Sequence, residues 1–313
     1  MTKRQQAFAR YTWWTLWATV AVILWGTVVR ATGSGAGCGS HWPLCNGEVV
    51  PLAPAWETVI EFGHRLTSGM ALVLVVVLVV LARRAWPAGH RVRSAAWWSL
   101  AVMIGEALLG AGLVVLEYVA DNAELARGWW VGGHLLNTYL LLAVLAVTAY
   151  FADGGAPASW RCRRGIVLGL LLGLFGVLGM SGALTALGDT LFPARDLAEG
   201  TALTFSPDSH LFVRLRVWHP VLAVLAGGFL AAIVWQIALD DEDPEVARYA
   251  RLLAGLYVLQ LAIGVLNVWW LAPVALQVVH LFMADMIWIA LVLFSLRALR
   301  TADASVGARA PAA

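Results

Sequence analysis

Within five residues, Glu61-Phe62-Gly63-His64-Arg65 brings together an acid, an imidazole and a guanidinium at the head of the apolar run from Met70 to Leu81. A charged side chain at bilayer depth costs at least about 2.5–3.5 kcal/mol even on a lenient scale, so its presence calls for a function or a partner. On a helix Glu61 and His64, three apart, share a face. The functional reading is a site for proton transfer or for stabilising a developing cation beside a metal. The bland reading is that Glu61 pairs with Arg65 on the next turn and does nothing else.

Seven histidines are present. His41, His90 and His210 fall in connections, whereas His64, His134, His219 and His280 each fall on an even-numbered apolar segment, within about two turns of the same end. At roughly 1.5 Å per residue their rings lie at a similar depth. A lone His in a membrane helix is more often a satisfied polar group or a packing element than a ligand. Four at matched positions suit axial ligation of heme iron by a His from each of two facing helices. Zinc would need a third or fourth ligand in the same half, and only Glu61 stands near that depth. The economical reading is two hemes, one per half.

The elements that must carry these residues are membrane spans. The chain has 313 residues, 61% apolar and 13% charged, which excludes an ordinary soluble domain, and its net charge of +2 is too small to argue for nucleic acid. Mean hydropathy is +0.77. Eight apolar runs are long enough to cross a bilayer as helices, near 12–30, 60–82, 96–117, 131–151, 165–184, 212–236, 250–271 and 274–296. The first is longer than the core of a signal peptide usually is.

Lys and Arg fix the orientation. Lys3, Arg4 and Arg10, then Arg83, Arg84, Arg91 and Arg93, then Arg161, Arg163 and Arg164, then Arg248 and Arg251, then Arg297, Arg300 and Arg309 make fifteen of 21 on one side. Both termini are therefore expected in the cytoplasm. Arg30, Arg65, Arg127, Arg195, Arg214 and Arg216 lie at the opposite face.

The pattern recurs. His64 matches His219 at an offset of 155, Glu106 and Gly110 match Gln260 and Gly264 at 154, and His134 matches His280 at 146. This implies two four-helix halves, 1–152 and 165–313, joined by a cytoplasmic linker at 153–164 and related by an axis along the membrane normal. The halves differ chemically: Arg216 stands where the first half has Glu61. Arginine suits a heme propionate, so the second half reads as a cofactor holder and the first as the place of chemistry. The glycine-rich outer loop carries Cys38 and Cys45. On an oxidising face the pair reads as a disulfide closing a small lid, with two free thiols or a transient redox pair as alternatives. Cys162 reads as a reduced surface thiol. Glu106 and Asp285 could line a polar route or pair locally with Thr, Ser or Trp.

Taken together, Thr32-Gly33-Ser34-Gly35, the Trp42-Pro43-Leu44-Cys45-Asn46-Gly47 loop after Cys38, the Glu61-x-x-His64-Arg65 motif and His134, His219 and His280 resemble the heme A synthase family over nearly the whole chain. The resemblance implies an all-α integral membrane fold and oxidation of a heme O methyl group to a formyl group by successive hydroxylations. It implies His64 and His134 as ligands flanking substrate heme O, Glu61 as the acid essential to chemistry, and His219 and His280 as ligands of a resident heme b (iron). It makes Cys38 and Cys45 a disulfide, and a heme O synthase and terminal-oxidase assembly the surrounding context. Two features depart from the family pattern. His219 is followed by Pro220 where a His-Arg pair is common, which leaves Arg65, Arg214 and Arg216 as propionate candidates; and the connection from Ala186 to Leu211 is long and charged.

The heme sites are expected near the outer face of the plasma membrane. An electron donor and copies of the same chain are the further partners expected. The rivals are a two-heme b-type electron carrier, which would prefer hemes on opposite sides of the membrane, and a repeat-built transporter, which would prefer sites at the midplane.

Overall fold

The computed structural model describes residues 1–301; Arg309, counted above with the cytoplasmic arginines, lies outside them. Its helices are α1 (Lys3–Ala31), α2 (Trp56–Ala85), α3 (Arg91–Val115), α4 (Leu125–Ala152), α5 (Arg163–Leu191), α6 (Leu197–Phe205), α7 (Leu211–Arg214), α8 (Trp218–Asp240), α9 (Pro244–Trp269) and α10 (Val274–Ala298). Eight segments are long and apolar enough to span a membrane, with α7, a short 3-10 turn and α8 forming the sixth. This is an all-α multi-pass membrane protein.

Most helices outrun their apolar runs because the polar ends are helical too. Thr2 and Gln5 form a capping box at α1, so helix begins nine residues before the apolar run at 12. Asp243 caps α9 with Pro244 at its first position, where a missing N–H costs nothing. Pro220 is the third residue of α8 and is harmless for the same reason. The charged connection is shorter than expected, because α5 runs on to Leu191 and takes Asp189 with it, and α6 occupies much of the remainder. Two connection histidines are helix caps: His90 accepts from Val92 N–H and His210 from Phe212 N–H.

Helices α4 and α10, the fourth and eighth spans, are the most buried. They meet each other in the middle of the molecule, where Trp288 stacks on Tyr139 at 4.7 Å and donates its indole N–H to the Tyr139 carbonyl at 2.7 Å. Asp285, one turn before Trp288, is fully buried here, and both its oxygens lack a hydrogen-bond partner among the described residues, so the expected pairing to Thr, Ser or Trp does not form. The linker lies against the end of α10: Ser159 N–H donates to Leu299 O and Thr301 N–H to Pro157 O, both at 2.8 Å. The arrangement is compatible with a parallel repeat. Cys162 is free and exposed.

Candidate functional site

The four histidines share one local construction. Each packs against a glycine on the preceding spanning helix, at a place where a Cβ would meet the imidazole. A Cβ on Gly26 of α1 would lie 3.1 Å from His64 Cε1, one on Gly110 of α3 3.8 Å from His134 Cε1, one on Gly182 of α5 2.9 Å from His219 Cε1, and one on Gly264 of α9 3.3 Å from His280 Cε1. A missing side chain thus makes room for a ring at Gly26, Gly182 and Gly264, whereas at Gly110 a Cβ would be in ordinary contact with the ring. Gly110 and Gly264 stand out in the sequence as part of the repeat, while Gly26 and Gly182, 156 apart, are concealed among 30 glycines.

In the second half the rings of His219 and His280 have centroids 6.3 Å apart at an interplanar angle of 81°. Two imidazoles bound to opposite sides of one metal, each through a bond of about 2 Å, place their centroids roughly 6 Å apart. The pair therefore fits one heme iron. Ser181 Oγ lies 3.0 Å from His219 Nδ1, leaving Nε2 free for the metal, as an outer hydrogen bond to a ligating imidazole should. Gln260 Nε2 lies 3.3 Å from His280 Nε2, and His280 Nδ1 is buried without a partner.

In the first half, His64 and His134 each keep a buried Nδ1 with no hydrogen bond. Glu61, buried one turn before His64, accepts from the Cys38 backbone N–H at 2.7 Å through Oε2, and from Arg65 Nε at 2.9 Å and Nη2 through Oε1. Arg65 Nη1 donates in turn to the carbonyls of His41 at 2.6 Å and Leu44 at 2.7 Å. Cys38 and Cys45 are disulfide-bonded. The Thr58 hydroxyl holds Gly37 O at 2.7 Å, and a Cβ on Gly37 would sit 2.5 Å from the backbone of Glu57. The loop thus lies directly on the first turns of α2. The Glu61–Arg65 pair is real, and it serves to anchor this loop above His64.

The three propionate candidates are differently placed. Arg65 is spent on Glu61 and the loop. Arg216 Nη2 donates to Gly188 O and Phe192 O, both at 2.7 Å, and its Nε lies 2.7 Å from Asp189 Oδ1, so it ties down the end of α5. Arg214 is exposed and makes no side-chain hydrogen bond among the described residues, which leaves it available. Sequence reasoning missed the role of Arg30. Its Nη1 donates to Ala186 O at 2.9 Å and Thr190 Oγ1 at 2.8 Å, and its Nη2 to Gln277 Oε1 at 2.6 Å, so one side chain of α1 bridges to α5 and α10. Arg127 is likewise turned inward, onto Ala120 O at 2.7 Å and Asn122 O at 2.6 Å. Counting both as face-marking charges concealed this, although their place at the end of an apolar helix was the signal.

A family model described as Cytochrome oxidase assembly protein matches residues 9–292. The chain belongs to that family. A Heme A synthase from Halalkalibacterium halodurans is 39% identical over 157 residues, 50% of each chain, and one from Alkalihalophilus pseudofirmus is 38% identical over 133 residues, 42% of this chain and 43% of that one. The family thus includes the heme A synthases, as the motif resemblance implied. A Thermus thermophilus protein named Protoheme IX farnesyltransferase is 47% identical over 293 residues, 93% of this chain and 48% of that protein. The chain spans about half the length of these curated relatives.

Proposed function

We propose that this family member is a heme A synthase, oxidising the methyl group of heme O to a formyl group by successive hydroxylations. The observation that carries the reading is the four-fold glycine–histidine construction, with the His219–His280 separation fitted to a single iron. His219 and His280 would hold heme b, and His64 and His134 would flank the substrate. Heme b, when bound, supplies one-electron transfer close to the substrate site. Glu61 keeps a carboxylate one turn from His64, oriented by the Cys38 N–H and Arg65, where it can stabilise positive charge or hold a proton as the methyl carbon is oxidised. Arg214 is the free cation for a heme b propionate.

The distribution of Lys and Arg supports cytoplasmic termini and sites toward the outer face. Heme O is rich in hydrocarbon and would enter sideways from lipid. The farnesyltransferase name of the Thermus relative supports a heme O synthase as functional partner. Because the stretch shared with this chain is the one the assembly-family model matches, prenyl transfer is assigned to the part of that relative this chain does not cover.

The test is pigment extraction and mass analysis of the protein purified after coexpression with a heme O synthase. Heme b together with heme O and its hydroxylated or formyl products is the expected result. Two copies of heme b and no heme O product would make the chain an electron carrier.

A further inference from the structure

The two halves back their fourth-helix histidines with different chemistry. Behind His134 stands Glu106 of α3, with Oε1 3.6 Å from the ring Nδ1. The next turn of α4 clamps this carboxylate: Asn137 Nδ2 donates to Oε2 at 2.6 Å and the Thr138 hydroxyl donates to Oε1. His134, Asn137 and Thr138, at i, i+3 and i+4, converge from one helix face on one acid. At the offsets that align the halves, Glu106 becomes Gln260, and Asn137 and Thr138 become Met283 and Ala284. A clamped anion is thus replaced by a neutral amide without its clamp. Gln260 still faces its histidine, 3.3 Å from Nε2 where Glu106 faces Nδ1, with its own Oε1 buried and unpartnered.

An imidazole that gives one nitrogen to iron carries a proton on the other, and a buried N–H needs an acceptor. His134 Nδ1 is buried and has no hydrogen bond, and the acceptor beside it is Glu106. Catalytic-site hydrogen bonds are often long before ligands bind and tighten on binding. A carboxylate behind the ring makes the ligand a stronger donor than an amide does, and so favours the oxidised metal. We infer that Glu106 is a positioning residue that turns His134 Nε2 toward the substrate heme and sets that iron to a lower potential than an amide there would. Gln260 stands at the other ring nitrogen, Nε2, and is the neutral counterpart for heme b with His280 Nδ1 turned to the iron. The inference rests on the ligand assignment proposed above.

The test is a redox titration, followed by absorption, of the full chain purified with both hemes after coexpression with a heme O synthase. Glu106→Gln should move one of the two potentials positive, leaving the other in place and the heme content intact. Gln260→Glu should move the other one negative. Thr138→Val, which loosens the clamp without removing charge, should lower thermal stability and leave the potentials nearly where they were. If Glu106→Gln does not accumulate, Glu106→Asp, which withdraws the carboxylate from Nδ1, takes its place with the same expected direction. Unmoved potentials in the charge variants, with one heme signal lost in His134→Ala, would overturn the inference while the ligands stand. Both hemes unchanged in His134→Ala would instead remove the ligand assignment.

Discussion

Replacing Gly182 by alanine puts a methyl group where the ring of His219 lies. The added Cβ would stand 2.9 Å from Cε1, about half an ångström inside ordinary contact, with both ring nitrogens at 3.4 Å. The ring is held by Ser181, the neighbour of Gly182 on the same helix, whose Oγ is 3.0 Å from Nδ1, and His280 is 6.3 Å away between centroids. Relief must therefore come from the ligand geometry or from a shift of α8 against α5. Overpacking of this kind costs typically about 1–3 kcal/mol, which is roughly 5–150-fold in affinity if it falls on heme binding. Removing a glycine from a helix interior returns at most about 1 kcal/mol.

The assay is heme b content per chain and the low-spin b-type spectrum of the purified variant. Gly173, which has open space around it, provides the control substitution. Gly264→Ala, at 3.3 Å from His280, should lose less heme than Gly182→Ala, and Gly110→Ala, at 3.8 Å from His134, should be tolerated. Full heme b and an unaltered spectrum in Gly182→Ala would refute the notch as a ligand-shaping device. So would equal losses in Gly173→Ala and Gly182→Ala.

Other outcomes follow from the same geometry. Glu61→Ala should leave heme b bound and stop heme A formation, read by mass analysis of extracted pigment; undiminished heme A would take Glu61 out of the chemistry. Arg30→Met leaves the acceptors on α5 and α10 unpaired and should cost roughly 2–3 kcal/mol, seen as a lower thermal midpoint in detergent; no change would show that this bridge is dispensable. Asp241, at the polar end of α8, is partly desolvated, which raises its pKa, but hydrogen bonds and charge from Arg300 and Arg164 prevail and hold its carboxyl below the usual range. A depressed acid stabilises the fold above its unfolded pKa of about 3.9 and loses that contribution as pH falls through the folded value. Stability should therefore drop on acidification below about pH 4, and Asp241→Asn should flatten that dependence in a thermal-shift series; an unchanged acid limb would assign it to other carboxylates.

The eight spans were legible because a bilayer-length apolar run is a strong signal, whereas helix ends were not, since Thr2 caps and Arg-bearing turns carry no apolar signal. The even-helix histidines stood out because His is rare in lipid-facing sequence. Their glycine partners did not, because what marks Gly26 and Gly182 is the ring each one touches, and that ring is on another helix. Arginine misled most. Arg65 and Arg216 read as free cations for an anion, yet their donors are consumed by a loop, a helix end and nearby acids, because a guanidinium has five N–H groups and neighbouring carbonyls compete for them. Glu106 looked isolated because the groups that clamp it, Asn137 and Thr138, lie more than 30 residues away.

Every glycine–histidine notch is made within one helical hairpin: α1 with α2, α3 with α4, α5 with α8, and α9 with α10. A metal held by two such histidines is consequently a rivet between two hairpins. On the proposed ligand assignment each hairpin carries half a binding site, and an iron would complete the seam. Under that assignment pigment would tie α2 to α4 and α8 to α10, and a chain without it would keep its spans yet be looser across those two pairs.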